Sequence, residues 1–303
     1  TAGWGNLGGG VTQMVMPLIF MAILRFGVGK FLGWRLVMIV PGVALFLTGI
    51  VYYFFTQDAP DGNYKALRAR GELESGKGKG VSSFILAIKD YRVWALFIVY
   101  AACFGIELTI NNVAALYYHD QFNLDVKTAG LIAGLFGLMN IFARTLGGVF
   151  SDFFAKKAGL KGRVLFLTVV LLAEGLALML FSQMGVLVVA VGTMIIFSLF
   201  VKMSAGATYG IVPFINKKAL GAVAGIVGAG GNAGAVAAGF LFRSESLTTQ
   251  SALLYLGIMV SIASVFSLLV RFSPEVQESE KRAFEAALAE REQAEIVNQE
   301  AVA

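Results

Sequence analysis

The sequence predicts an all-α, polytopic membrane protein. Three observations carry that expectation. Hydrophobic residues make up 57% of the 303 residues and charged residues 14%, where soluble domains average about 25% charged. Mean hydropathy is +0.76. Eight apolar stretches recur along the chain, each close to the ~20 residues a helix needs to cross a bilayer. They cover 1–24, 36–56, 93–117, 128–150, 164–182, 186–213, 219–242 and 251–272.

The first span opens at Thr1 without an initiator Met or a signal-peptide pattern, which reads as a piece cut within a helix. Asn6 and Gln13 share one face of it, and Pro17 is placed to kink it. The second span, 36–56, is free of charge. Segment 57–92 is the one long polar stretch between spans. It begins with Asp58-Ala59-Pro60-Asp61-Gly62-Asn63 and later runs through Gly76-Lys77-Gly78-Lys79-Gly80, so it reads as a linker with turn chemistry at its start.

The third span aligns Tyr100, Phe104, Glu107 and Asn111 at spacings of four, three and four. That is one helical face with an aromatic wall followed by polar groups. Each aromatic could be a packing residue alone, but their alignment with Glu107 points to a pore lining. Glu107 could bind a proton or serve as a fixed ion-pair partner. In the fourth span Asn140, Arg144, Gly147 and Ser151 share a face by spacing. A central Arg costs about 2.5–3.5 kcal/mol on insertion scales, so it faces a partner or a water-filled path. Arg144 is therefore either paired with a carboxylate of another helix or an anion clamp, since its fork suits a small planar oxyanion.

The fifth span holds Glu174, to which the sequence assigns no role. The sixth is long enough to tilt and carries Lys202 within Phe200-Val-Lys202-Met-Ser204-Ala-Gly206-Ala-Thr208. Lys202 lines a pathway or snorkels to an interface. The seventh span is apolar yet contains Gly221, Gly225, Gly228, Gly230, Gly231, Asn232 and Gly234. Positions 221, 225, 228 and 232 fall on one face, where missing side chains allow close backbone approach. The plain alternative is a packing seam. Gly5-Asn6-Leu7-Gly8 echoes Gly231-Asn232-Ala233-Gly234, which points to internal symmetry of the kind found in transporters. The tail, 274–303, is rich in Ala and Glu and reads as a solvated helix or a frayed end.

Lys and Arg sort by alternate loops. One set, 57–92, 151–163, 214–218 and 271–303, holds 17, and the other holds 5. The positive-inside rule then puts the linker and the C-terminus in the cytoplasm. The net charge of +5 is spread over these loops and does not indicate nucleic acid. A single cysteine, Cys103, excludes a disulfide framework, and a single histidine, His119 at a loop edge, argues against a histidine cluster. No nucleophile–base pair, metal set or cofactor motif can be assembled, so an enzyme is not expected.

Ala2-Gly3-Trp4-Gly5-Asn6-Leu7-Gly8 and Gly225-Ile226-Val227-Gly228-Ala229-Gly230-Gly231-Asn232-Ala233-Gly234 resemble the two nitrate signature motifs of the nitrate/nitrite porter family, within the major facilitator superfamily. Gly147-Gly148-Val149-Phe150-Ser151-Asp152, with Lys156-Lys157 and Gly162-Arg163, resembles that superfamily's short basic loop between helices eight and nine. Gly105-Ile106-Glu107-Leu108-Thr109-Ile110-Asn111-Asn112 is similar to helix seven of the eukaryotic and cyanobacterial uptake branch, as is Ile211-Val212-Pro213-Phe214. The resemblance covers nearly the whole chain except the tail. It implies a major facilitator fold of twelve helices in two halves, with the spans here equivalent to helices five to twelve. Residues 1–56 would end the first half, 57–92 would be a cytoplasmic linker, 93–273 the second half and 274–303 a cytoplasmic tail.

By the same resemblance, substrate would meet Arg144, Asn6, Asn232, Tyr100 and Phe104. A second arginine would lie on a helix that this sequence lacks. Gly5, Gly8, Gln13, Asn111, Asn140, Gly228, Gly230, Gly231 and Gly234 would line the pore or pack helices. Glu107 is the candidate for proton coupling. Lys202 departs from the uncharged polar residue expected there. The implied function is transport of nitrate or nitrite by alternating access, with proton-coupled uptake across a plasma membrane, or the inner membrane of a bacterium. Nitrate/nitrite exchange, another small-anion substrate and a non-transporting nitrate receptor are the alternatives. The implied partners are nitrate or nitrite, protons and the lipid bilayer. An accessory subunit is not specified.

Overall fold

The computed structural model describes residues 2–72, 79–283 and 286. Among them the chain is helical, with one isolated bridge between Ala59 and Gly62 and no strand. The helices in order are α1 (Ala2–Asn6), α2 (Gly8–Arg25), α3 (Lys30–Val37), α4 (Ile39–Phe55), α5 (Tyr64–Ala69), α6 (Lys79–Ile88), α7 (Tyr91–Phe122), α8 (Val126–Leu138), α9 (Ala143–Ser182), α10 (Leu187–Tyr209), α11 (Leu220–Arg243) and α12 (Thr249–Ser264). Among the described residues, seven helical stretches are long and apolar enough to cross a membrane. One of these, Val126–Ser182, runs through two spans in succession. It turns where Ala158 and Gly159 leave helical geometry, Gly159 at φ 60 and ψ −146, a region open almost only to glycine. Eight spans therefore stand as the hydropathy pattern indicated.

Several boundaries differ from those read in the sequence. The second span begins at Lys30 rather than at residue 36, because Arg35 folds back on its own helix. Its guanidinium donates to the Phe31 carbonyl at 2.5 Å and covers the Phe31 and Trp34 rings, so the polar residue is no barrier to the helix. Met38, between α3 and α4, has helical dihedrals, and so does Leu7 between α1 and α2. The third span is longer than 93–117. Asp90 caps α7 by accepting from the Arg92 N–H, and Asn123 ends it at a left-handed φ of 52.

The linker is more ordered than turn chemistry alone implied. The Asp58 N–H donates to Asn63 Oδ1 and the Tyr64 N–H to Asp58 Oδ2, which fixes the turn and launches α5. Leu67 of α5 and Ala87 of α6 are buried. Residues 73–78, with Gly76, Lys77 and Gly78 of the glycine–lysine run, lie outside the described residues, as do Thr1 and most of the tail. Residues 274–283 of the tail are helical, and Lys217 pairs with Glu280.

Packing follows the small residues. α9 lies against α10 and α12, α7 against α11, and α2 against α8. On α11 the buried positions are Val223, Val227, Gly230, Gly231 and Ala238. The stripe 221–225–228–232 is thus not the seam against α7; Gly221, Gly225 and Asn232 are exposed. The face one position round makes that contact, with Gly231 laid on the Tyr100 and Phe104 rings. α4 buries no residue at all.

Candidate functional site

Side chains of α9, α10 and the 3-10 turn before α9 converge on Glu107 of α7. Glu107 is 1% exposed in the middle of α7. Arg144 Nη2 donates to Glu107 Oε2 at 2.7 Å, and Asn140 Nδ2 donates to Oε1 at 2.9 Å. Lys202 Nζ stands 3.0 Å from Oε1, as an ion pair rather than an aligned hydrogen bond. Lys202 is fully buried, and its ammonium also sits 3.9 Å above the Phe136 ring. Two cations and one carboxylate leave one unit of positive charge in a low-dielectric interior. Such a site attracts one small anion.

A break in the helix path aims Arg144. The fourth span is not one continuous helix. After α8 comes a 3-10 turn, Met139–Ile141, and Phe142 leaves helical geometry at φ −123 before α9 begins. Asn140 sits in that turn and Arg144 in the first turn of α9, so both reach Glu107 from one discontinuity. Interrupted helices at midplane sites are a recurring transporter device. The face-sharing read from the spacing of 140, 144, 147 and 151 assumed unbroken helix. The turn replaces that register but leaves Asn140 and Arg144 together.

An aromatic wall flanks the guanidinium. Tyr100 and Phe104 stack at 5.0 Å between centroids, and Arg144 Cζ lies 5.4 Å over Phe104. Tyr209, at the end of α10, meets Tyr100 edge-on at 5.1 Å. The sequence did not single out Tyr209 or Phe136. Neither belongs to a polar face or motif of its own helix, and only tertiary packing selects them. Arg144 keeps one donor, Nε, buried without a partner.

The first-span residues arrive from the opposite side. Asn140 Nδ2 donates to the Asn6 carbonyl at 3.3 Å, which joins the first glycine–asparagine motif to the charged cluster. Gln13 donates to the Asn111 carbonyl, and the side-chain oxygens of both amides are buried without partners. Asn232 is exposed beside Gly231, and Gly5 and Gly8 open onto free space. A Cβ on Gly228 would stand 3.1 Å from the Tyr209 hydroxyl, and one on Gly230 or Gly234 would meet the α7 backbone at Phe97 or Ala101. The structure thus brings together Arg144, Glu107, Lys202, Asn140, Tyr100, Phe104 and the Asn6 backbone. It leaves Asn232 at the rim.

A second polar cluster lies where the fourth and fifth spans turn. Arg163 Nη1 pairs with Asp152 at 2.6 Å and donates to Ser151 Oγ at 3.3 Å. Arg92 Nη2 donates to the Ile215 carbonyl at 3.1 Å and pairs with Asp90 at 2.6 Å.

The pattern of the Major Facilitator Superfamily matches residues 1–216 and, in a second alignment, 98–301. The chain belongs to this superfamily. Among curated relatives, High affinity nitrate transporter 2.5 of Arabidopsis thaliana is 41% identical over 273 residues, covering 89% of this chain and 54% of that protein. Nitrate transporter 2.2 of Chlamydomonas reinhardtii is 38% identical over 251 residues, covering 82% and 49%. The Nitrate/nitrite transporter NrtP of Picosynechococcus is 28% identical over 322 residues, covering 78% and 59%. The chain spans about half the length of these relatives. A crystal structure of a bacterial homolog to the human lysosomal transporter Spinster has a TM-score of 0.59 at 17% identity, over 89% of this chain and 70% of that one. That likeness concerns the superfamily fold alone.

Proposed function

We propose that this superfamily member carries nitrate, or nitrite, across a membrane by alternating access. The observation that carries the reading is the buried Arg144–Glu107 pair under the Tyr100–Phe104 wall. Glu107 takes one donor of the Arg144 guanidinium and leaves Nε unpartnered, so the fork can accept a planar oxyanion through two parallel charge-assisted bonds. The names of the plant, algal and cyanobacterial relatives support nitrate and nitrite as the anions. In this reading the eight spans act as helices five to twelve of a twelve-helix carrier. Residues 1–56 complete the first half, 57–92 link the halves and 93–273 form the second. Asn6 and Asn232 face the anion from the two halves. The Lys and Arg bias puts the linker and the C-terminus in the cytoplasm of a plasma-membrane protein, or of a bacterial inner-membrane one.

Glu107 is the coupling residue. Glu107 and the substrate compete for Arg144, so a proton on Glu107 frees the guanidinium for an anion, and an anion on Arg144 frees Glu107 for a proton. Carrying the two together spares the anion the cost of moving against an inside-negative potential, about 2.3 kcal/mol per charge per 100 mV. Exchange of one anion for another is the second reading, and Lys202 favours it. An ammonium 3.0 Å from Glu107 can hold the carboxylate charged while Arg144 changes partners.

Arg144→Lys tests the anion site. An ammonium cannot reproduce the fork, so nitrate binding to the purified intact protein should weaken at least tenfold while assembly is retained. Wild-type nitrate affinity in the Lys variant would sink the assignment.

A further inference from the structure

Glu174 is fully buried in α9, beyond the turn at Gly159, and the mechanism above does not use it. No cation among the described residues is in contact with it. One carboxyl oxygen meets the Ser204 hydroxyl of α10, and the other has no partner. Ser204 Oγ also lies 3.1 Å from the Val201 carbonyl. A hydroxyl has one hydrogen, so it cannot donate to both oxygens in full. A proton on Glu174 completes the chain: the carboxylic acid donates to Ser204, and Ser204 donates to Val201.

The groups that face Glu174 are few. α7 brings Cys103 and Glu107 within electrostatic reach, and α10 brings Lys202. α12, packed on the same arm of α9, presents Gly257 and Ser261 at Gly175 and carries no Asp, Glu, Lys, Arg or His. Lys202 therefore has two carboxyls within reach of its charge, Glu107 in contact and Glu174 farther off. If Glu107 takes a proton, the fully buried Lys202 loses its anion. Ionising Glu174 restores it.

We infer that Glu107 and Glu174 share one proton across Lys202. Glu174 holds it while Glu107 is paired with Arg144, and Glu107 holds it once a substrate anion occupies Arg144. The O–H bond on Glu174 breaks, an O–H bond on Glu107 forms, and Lys202 remains an ammonium, so the cluster gains no proton when the anion binds. Glu107 then releases the proton on the side where the anion leaves, and Glu174 refills. This inference rests on Arg144 as the anion site.

Calorimetric titration of nitrate into the intact protein, in two buffers of different ionisation enthalpy, reads the protons taken up per nitrate. Wild type should take up none. Glu174→Gln removes the internal donor, so one proton per nitrate should come from the buffer, and affinity should fall about tenfold per unit rise in pH, the slope of one linked proton. Uptake of one proton by wild type, or the wild-type result in Glu174→Gln, would overturn the shared proton. Infrared spectra of wild type give a reading that needs no variant. A carboxylic-acid carbonyl band in the empty protein should change frequency when nitrate is added, and an unchanged band counts against the inference. If wild type binds no nitrate at all, the anion-site reading falls instead. Normal binding with the wrong proton count removes only the sharing.

Discussion

Three charged side chains in the apolar interior decide the site, and each depends on the others. Removing one partner of a buried pair leaves the rest uncompensated, at a cost of about 3–5 kcal/mol. Glu107→Gln would leave Arg144 and Lys202 facing an amide. That variant is expected to lose thermal stability and to regain more of it on adding nitrate than wild type does, because the anion then fills the vacated fork. In proteoliposomes it should lose uptake driven by a pH gradient and keep counterflow between equal nitrate pools. Gradient-driven uptake at the wild-type rate would take Glu107 out of the coupling. Arg144, Glu107 and Lys202 were each legible in the sequence, since a charge inside an apolar span is conspicuous. Their contact was legible only as an open alternative, an ion pair of Glu107 with a basic residue such as Lys202 and of Arg144 with a carboxylate. That both cations meet one carboxylate was not, because the pairing of α7 with α9 and α10 is a tertiary fact that helical spacing along one chain segment does not encode.

At the scale of elements, glycine sets which helices can approach. A Cβ on Gly231 would stand 2.5 Å from Phe104 and 3.1 Å from Tyr100, so Gly231→Leu should push α11 off α7 and unstack the aromatic wall. The expected outcome is normal membrane insertion with nitrate flux reduced to background, measured in proteoliposomes; surviving flux would mean that the α7–α11 contact is not needed for transport. The glycine content of α11 was readable, but its buried face was displaced by one position from the regular stripe, because Tyr100 and Phe104 choose where α11 settles. The 3-10 turn at Met139–Ile141 gave no sequence signal, having neither Gly nor Pro. The start of α8 makes a pH-dependent contribution. Asp125 accepts from the Thr128 hydroxyl at 2.5 Å and from two backbone N–H groups, and the Thr128 bond, first among these, holds its carboxyl below the usual range. A group with a lowered folded value contributes at neutral pH and loses that contribution as pH falls through its titration. Asp125→Asn should therefore flatten the acid side of the stability profile, read as melting temperature against pH. An unchanged acid limb would show that the cap is not coupled to stability.

Over the whole molecule, among the described residues, α7 to α12 pack closely, whereas α4 buries nothing and α2 packs mainly on α8, with a lesser contact to α7 where Gln13 meets Asn111. Hydropathy located all eight spans because lipid-length apolar runs are a property of composition. It missed the onset of the second one, where Arg35 lies along its own helix. The topology can be tested directly. Cys103 is fully buried and stays quiet while cysteines introduced singly at Lys65 and Lys127 are labelled in the intact protein with any further cysteine replaced. A membrane-impermeant reagent outside intact cells should reach position 127 and not position 65. The reverse pattern would invert the assigned orientation.

The Glu107 cluster also bears on how the protein is made. Glu107 is synthesised 37 residues before Arg144, and Lys202 follows two spans later. A central Arg or Lys entering lipid alone costs about 2.5–3.5 kcal/mol; Glu107 of α7 has no counter-charge until Arg144 of α9 follows, and Lys202 of α10 meets its carboxylate only beside α7. Helices α7, α9 and α10 are therefore poor candidates for partitioning into the membrane one at a time. Biogenesis has to hold α7 beside the insertion machinery until its counter-charges emerge, so that the ionic cluster enters lipid already assembled.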